Sequence, residues 1–177
     1  MLREIAILDE ILDAHRGEIG VDFTAYRNHA YRVANFCAAI LSPNAEQLQK
    51  IAVATAFHDI GIWTDHTFDY LPPSIRTATS FLESTGRAQW IGEIAEMIRE
   101  HHKVLPYRRD ARDLAEAFRR ADWMDVSRGL LSFGVARETI NEILDAWPNH
   151  GFHKRLVQLE LAHLRAHPLH PLPMMRL

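Results

Sequence analysis

Apolar residues recur at i, i+3, i+4 and i+7 along almost the whole chain, and nowhere do they alternate with polar ones as in a strand. A stripe of this period covers one face of a helix. It predicts helices at about 2–15, 22–41, 44–60, 74–85, 87–103, 110–127, 135–147 and 150–166. Breakers fall between them: Gly17 and Gly20, "SPN" at 42–44, "LPPS" at 71–74, Gly86, Pro106, Gly134 and Pro148. The tail "HPLHPLPMMRL" carries three Pro, whose fixed φ and missing N–H exclude a helix there. There is no internal repeat and no low-complexity linker. The expected fold is all-α, a single compact bundle over 1–177, with C-terminal helices and a Pro-rich tail at 135–177. The longest connection, "GIWTDHTFDYLPP" at 61–73, is long enough to carry function or to be a plain surface excursion.

Composition narrows the classes. The 177 residues are 47% apolar and 24% charged, the balance of an ordinary globular domain with a real core. No apolar run reaches membrane-spanning length, and acids interrupt the apolar pattern of "MLREIAILDEILDAHRG", which therefore reads as a helix and not as a secretory signal. The single Cys37 excludes an internal disulfide and suits a reducing cytoplasm. A net charge of −3 gives no electrostatic case for nucleic acid. The expected partner is a small-molecule substrate; a homo-oligomer is left open. The unusual number is eleven His, which metal ligation, proton transfer or surface chemistry would each explain.

Polar residues interrupt the apolar stripe at a few inner positions. His58 and Asp59 close the apolar run "AVATAF", just before a Gly61 expected to lie past the helix end. An acid in a last turn faces the negative end of the helix dipole, and a buried carboxylate needs a partner, so an Arg, a Lys or a metal ion should lie near Asp59. His29 lies on the inner line of Phe23, Tyr26, Ala30, Val33, Cys37 and Leu41. His101 and His102 follow Trp90, Ile91, Ile94 and Ile98, with Leu105 expected beyond them; either could instead close the helix favourably with Lys103. Asp122 and Asp125 lie four residues after Phe118 and Ala121, where one could pair with Arg119 or Arg128. Singly, each has an ordinary reading. Together, they put His, His-Asp and Asp at inner positions on three helices. Imidazole and carboxylate donors suit Zn, Fe, Mn or Ni, and with no thiolate partner for Cys37 a Cys-based structural zinc site is excluded.

This order resembles the HD-domain superfamily of metal-dependent phosphohydrolases, through His29 in "HAYRVA", His58 and Asp59 in "HDIG", and Asp122 in "ADWMD", over about residues 22–127. The resemblance implies an all-α bundle and metal ligation by His29, His58, Asp59 and Asp122. It further implies that the Asp oxygens can bridge two ions. One tightly bound divalent ion (Mn, Fe, Ni or Zn) is expected, with a second at His101 or His102 left open. The Glu-Asp that follows His-Asp in guanosine tetraphosphate hydrolases is missing from "HDIGIWTD". "EHHKVLPYRRD" lacks the His-His-Glu, Asp-Gly and Gly-Tyr-Pro of the cyclic dinucleotide phosphodiesterases. Both subfamilies are disfavoured.

The reaction expected from the resemblance is hydrolysis of a small phosphate monoester or nucleotide by a metal-activated water. Asp59 is then catalytic, with His101 and Asp65 as candidate proton donors. Arg32, His102 and Asp69 are candidates for contacting the substrate, with Lys103 and Arg76 weaker ones. Trp63, Phe68 and Tyr70 would stack on a base or cap the core. The same scaffold also implies two alternatives: hydration of a small nitrile such as cyanamide or di-iron oxygenation, which a site poor in basic residues would favour, and a non-catalytic metal-binding module.

Overall fold

The computed structural model describes residues 1–107, 113–169 and 173–175. Ten α-helices lie among the described residues: α1 (Ala6–Ala14), α2 (Arg16–Ile19), α3 (Phe23–Leu41), α4 (Ala45–Phe57), α5 (Gly61–Thr64), α6 (Leu71–Ser84), α7 (Ile91–Glu100), α8 (Leu114–Val126), α9 (Arg137–Ala146) and α10 (Phe152–Ala166). No strand occurs among them. The fold is all-α. The start of the helix expected at 110 lies outside the described residues.

Local chemistry sets the boundaries. The Asn44 side chain accepts from Gln47 N at 2.9 Å and Asn44 N donates to Gln47 Oε1 at 3.0 Å, a capping box that starts α4. Asp113 caps α8 through Ala115 N at 2.9 Å. α6 begins three residues earlier than its periodicity suggests, because Pro72 and Pro73 fall in its first turn, where no N–H is needed. α7 is shorter than the expected 87–103: a 3-10 turn at Ala88–Trp90 precedes it, and Leu105 is exposed beyond it.

Gly61 departs from its expected role. α4 stops at Phe57, a turn covers 58–60, and Gly61 opens α5 with negative φ. Its requirement is space: a Cβ there would lie 2.6 Å from Tyr70 O and 2.9 Å from Pro73 Cγ, and Gly61 N donates to Ser74 Oγ at 3.0 Å. α5 is thereby seated against α6, and the expected long loop shrinks to 65–70.

α3 packs on α4 and α8, and α7 packs on α6, α4 and α8. Neighbouring helices cover the C-terminal half of α4, so Ile51 to Phe57 are all buried, whereas its N-terminal half is more exposed. Where α3, α4, α7 and α8 meet, the apolar core is interrupted by buried polar groups: His29, Arg32, His58, Asp59, His101, Asp122 and Asp125 are each at most 3% exposed. Ionisable groups resist burial unless paired or bound to a metal.

Candidate metal centre

His58 and His101 are the C-cap residues of α4 and α7. A helix end leaves its last carbonyls without intrahelical partners. Each imidazole uses one: His58 Nδ1 donates to Thr55 O at 2.9 Å and His101 Nδ1 to Ile98 O at 2.7 Å. His29 Nδ1 faces Asp125 Oδ2 at 2.6 Å. All three rings thus have Nδ1 engaged by an oxygen, which directs Nε2 to the centre, the arrangement that orients metal-binding histidines. Phe152 of α10 stacks on the His29 ring, with centroids 4.2 Å apart.

The Nε2 atoms converge on Asp59. Its Oδ2 lies 3.3 Å from His58 Nε2 and 3.6 Å from His29 Nε2, and its Oδ1 lies 3.4 Å from His101 Nε2. Asp122 Oδ1 stands 3.7 Å from His29 Nε2 and 3.9 Å from His58 Nε2, while its Oδ2 stands 3.7 Å from His102 Nδ1. The two oxygens of each acid therefore face different imidazoles. Two donor groups result, His29–His58–Asp59 and Asp59–His101–His102, each with its ligand atoms within 4.8 Å of one another. Asp59 Oδ1 and His101 Nε2 are buried with no hydrogen-bond partner. A cation satisfies both, so this donor set fits a divalent transition ion of the Zn, Fe, Mn or Ni class.

Taken alone, the side chains divide their protons unevenly. Burial would lower His29, but the hydrogen bonds and charges of Asp125 and Asp59 hold it up at about 9. Burial, with the neighbouring His29 and His101, brings His58 down to about 3 despite Asp59. The Nε2 atoms of these two rings are 2.8 Å apart, a donor from His29 meeting an acceptor on His58. Burial would raise Asp59, yet His58, His101 and His29 hold it well below the carboxylate range. Burial pushes Asp122 up to about 6 against the pull of His101 and His29. The proton on His29 Nε2 is one a bound cation would displace.

The HD domain family model matches residues 26–127, more than half of the chain. The chain belongs to the HD domain family. Membership places it in a superfamily of metal-dependent hydrolases, and His29, His58, Asp59 and Asp122 fall inside the matched span. No curated protein and no solved structure matches this chain.

Within this HD domain the remaining expected site residues separate. His102 joins the centre, with Nε2 2.5 Å from Tyr70 Oη. Arg32 does not reach the mouth. Its guanidinium is buried on Asp125, through Nε to Oδ1 and NH2 to Oδ2 at 2.9 Å, and NH1 donates to Trp147 O at 2.9 Å. Arg32 is thus a counter-ion for the acid behind His29, because a buried Asp125 needs one; together they hold Asp125 below the usual carboxylate range although burial would raise it. Asp65 turns outward to Arg76 at 2.6 Å, which also accounts for Arg76. Asp69 and His66 are exposed, and neither lines the cavity that opens onto Asp122 and His102. The Lys103 ammonium sits 3.8 Å from Glu100. Arg119, a candidate partner for Asp125, instead grips Glu116 with both Nε and NH2 at 2.8 Å.

Several functional residues escaped the periodicity. Tyr70, expected to stack on a base or cap the core, is buried and bonds His102 instead. Thr55 and Ile98 act through carbonyls, though a His three residues on at a helix end is a readable sign. Phe152, Trp147 and His153, whose Nε2 meets Asp125 O at 3.1 Å, lie far along the chain and outside the matched span.

Proposed function

We propose that this HD domain is a metal-dependent hydrolase that binds one divalent ion through His29, His58, Asp59 and Asp122 and a second through Asp59, His101 and His102. The reading rests above all on the convergence of three Nε2 atoms, each with Nδ1 already engaged, on two buried carboxylates. An ion held there acidifies water for attack and polarises the electrophile. The chain's own residues do the rest. Asp125 and Arg32 fix the His29 ring, and the Thr55 and Ile98 carbonyls fix His58 and His101. Asp59 lends one oxygen to each donor group. Tyr70 holds the His102 ring through Nε2, which leaves Nδ1 for the second donor group at the cavity's inner end.

The substrate of the first reading is a small phosphate monoester. Assays with Mn, Fe, Ni or Zn should release phosphate from a panel of such esters, and Asp59→Asn should abolish the release. A second reading, addition of water to a small uncharged electrophile such as a nitrile, is favoured by one observation. Among the described residues lining the cavity there is no Lys or Arg, and Glu160 adds a negative charge. Equatorial phosphate oxygens call for cationic partners. Metal binding without phosphate release from any ester, alongside hydration of a nitrile, would give this second reading the lead.

A further inference from the structure

The cavity that ends on His102 and Asp122 is walled partly by Met174 and Met175. Met174, in a segment with no regular structure, is only 4% exposed, and with Met175 it lines the cavity together with Phe68, Trp123 and Leu156. Such burial gives this stretch a defined seat. Methionine, unbranched and polarizable, is suited to filling an irregular wall. The cavity is partly open to solvent and has a volume of about 150 Å³. Pockets for drug-sized ligands run to roughly 300–1,000 Å³. The cavity is therefore smaller than a pocket for a drug-sized ligand. His102, Asp122 and Tyr70 mark its metal-facing side, Glu160 adds a carboxylate, and the rest of its lining is thioether, aromatic and aliphatic.

We infer that Met174 and Met175 wall the substrate cavity and restrict the enzyme to substrates whose non-reacting part is a short, uncharged apolar group. A nucleoside, with a polar base and ribose, matches neither the cavity's small volume nor the apolar Val126, Leu156, Met174 and Met175 that line it. The inference rests on the hydrolase reading only in taking His102 and Asp122 as the reacting end.

The test is peroxide footprinting of the metal-loaded full chain, with methionine oxidation read by mass spectrometry. Met1, 56% exposed, is the fast reference, and Met97 and Met124, fully buried, are the slow ones. Met174 should oxidise several-fold more slowly than Met1. Butylphosphonate or butyronitrile should slow it by about threefold or more, because an occupied cavity shuts out peroxide. Adenosine 5′-monophosphate should leave it unchanged. In Met174→Ala the footprint moves to Met175, and octylphosphonate, ineffective on the wild type, should now protect. Oxidation of Met174 as fast as Met1, protection by the nucleotide equal to that by the butyl probes, or no protection by either butyl probe overturns the inference. If the footprint holds but no compound is turned over, the wall stands and the hydrolase reading falls. If phosphate is released from nucleotides without any Met174 footprint, the hydrolase reading stands and the wall falls.

Discussion

Asp125 is the residue whose replacement separates ligand from support most sharply. Its Oδ2 accepts from both His29 Nδ1 and Arg32 NH2, and its Oδ1 accepts from Arg32 Nε. Asp125→Ala strands a buried guanidinium. Removing one partner of a buried pair costs about 3–5 kcal/mol, on the order of 10 °C in melting temperature for a chain of this size. It also frees the His29 ring, and loss of such an outer hydrogen bond typically weakens metal affinity about 10–100-fold. Asp125→Asn keeps the volume, so its stability loss should be smaller, about 1–3 kcal/mol. The amide has one acceptor oxygen and one donor nitrogen. With the oxygen toward His29, the nitrogen faces Arg32 Nε; with the oxygen toward Arg32 Nε, it faces His29. The second placement makes His29 accept on Nδ1 and carry its proton on Nε2, the atom required by the metal. Asp125→Asn should therefore lose metal affinity about as severely as Asp125→Ala while remaining the more stable protein. Asp122→Ala, which removes a ligand oxygen, should lose more affinity than either. Calorimetric metal titration beside urea unfolding, on chelated and metal-loaded protein, reads both quantities. An Asp125→Asn protein that binds metal like the wild type would refute the support role, and equal metal loss in Asp122→Ala and Asp125→Ala would show that the two acids do not divide the work this way.

Asp59→Asn should remain folded but lose the stabilisation by added metal, which for the wild type at 100-fold excess over Kd is about 2.7 kcal/mol. The helix-dipole argument alone would have this variant gain stability without metal, but the three imidazoles facing Asp59 remove that gain, and a thermal melt on chelated protein checks it. Glu116, 1% exposed and bonded by Arg119, Arg120 and Tyr107 N, has its carboxyl held at about 2, burial notwithstanding. Its folded value is depressed, so its contribution is complete above the unfolded value of about 4.5 and disappears as pH falls to about 2. Glu116→Gln should accordingly cost about 2 kcal/mol at pH 7, with the difference from wild type closing between pH 4.5 and 2 in denaturant titrations. Gly61→Ala should destabilise by about 1–3 kcal/mol in the same assay, since its Cβ would press on the Tyr70 carbonyl, a backbone atom that cannot swing aside.

Helical periodicity carried the architecture because each core helix has one apolar face, and the polar exceptions on that face marked the centre: His29, His58, Asp59, His101, His102 and Asp122 all meet at the junction of α3, α4, α7 and α8. Spacing along one helix shows which face a residue occupies. It does not show what lies opposite. Arg32, one turn after His29, reads as a neighbour of the metal, and only the packing of α8 on α3 reveals that Asp125 claims it first. Asp65 and Asp69 fell within a connection whose course no periodicity fixes, and solvent took them. The same blindness hid Phe152 and Met174, which reach the site from elements far along the chain.

The central claim is that buried histidines and acids of this HD domain hold a transition ion, and elemental analysis of wild type and His58→Ala, purified side by side without added metal, tests it most directly. His58 Nε2 lies 2.8 Å from His29 Nε2 and 3.3 Å from Asp59 Oδ2, so its loss opens the first donor group. The account predicts at least about one Mn, Fe, Ni or Zn per wild-type chain and a small fraction of that in the variant. A folded wild type with no such metal, or a His58→Ala protein with wild-type occupancy, would contradict it.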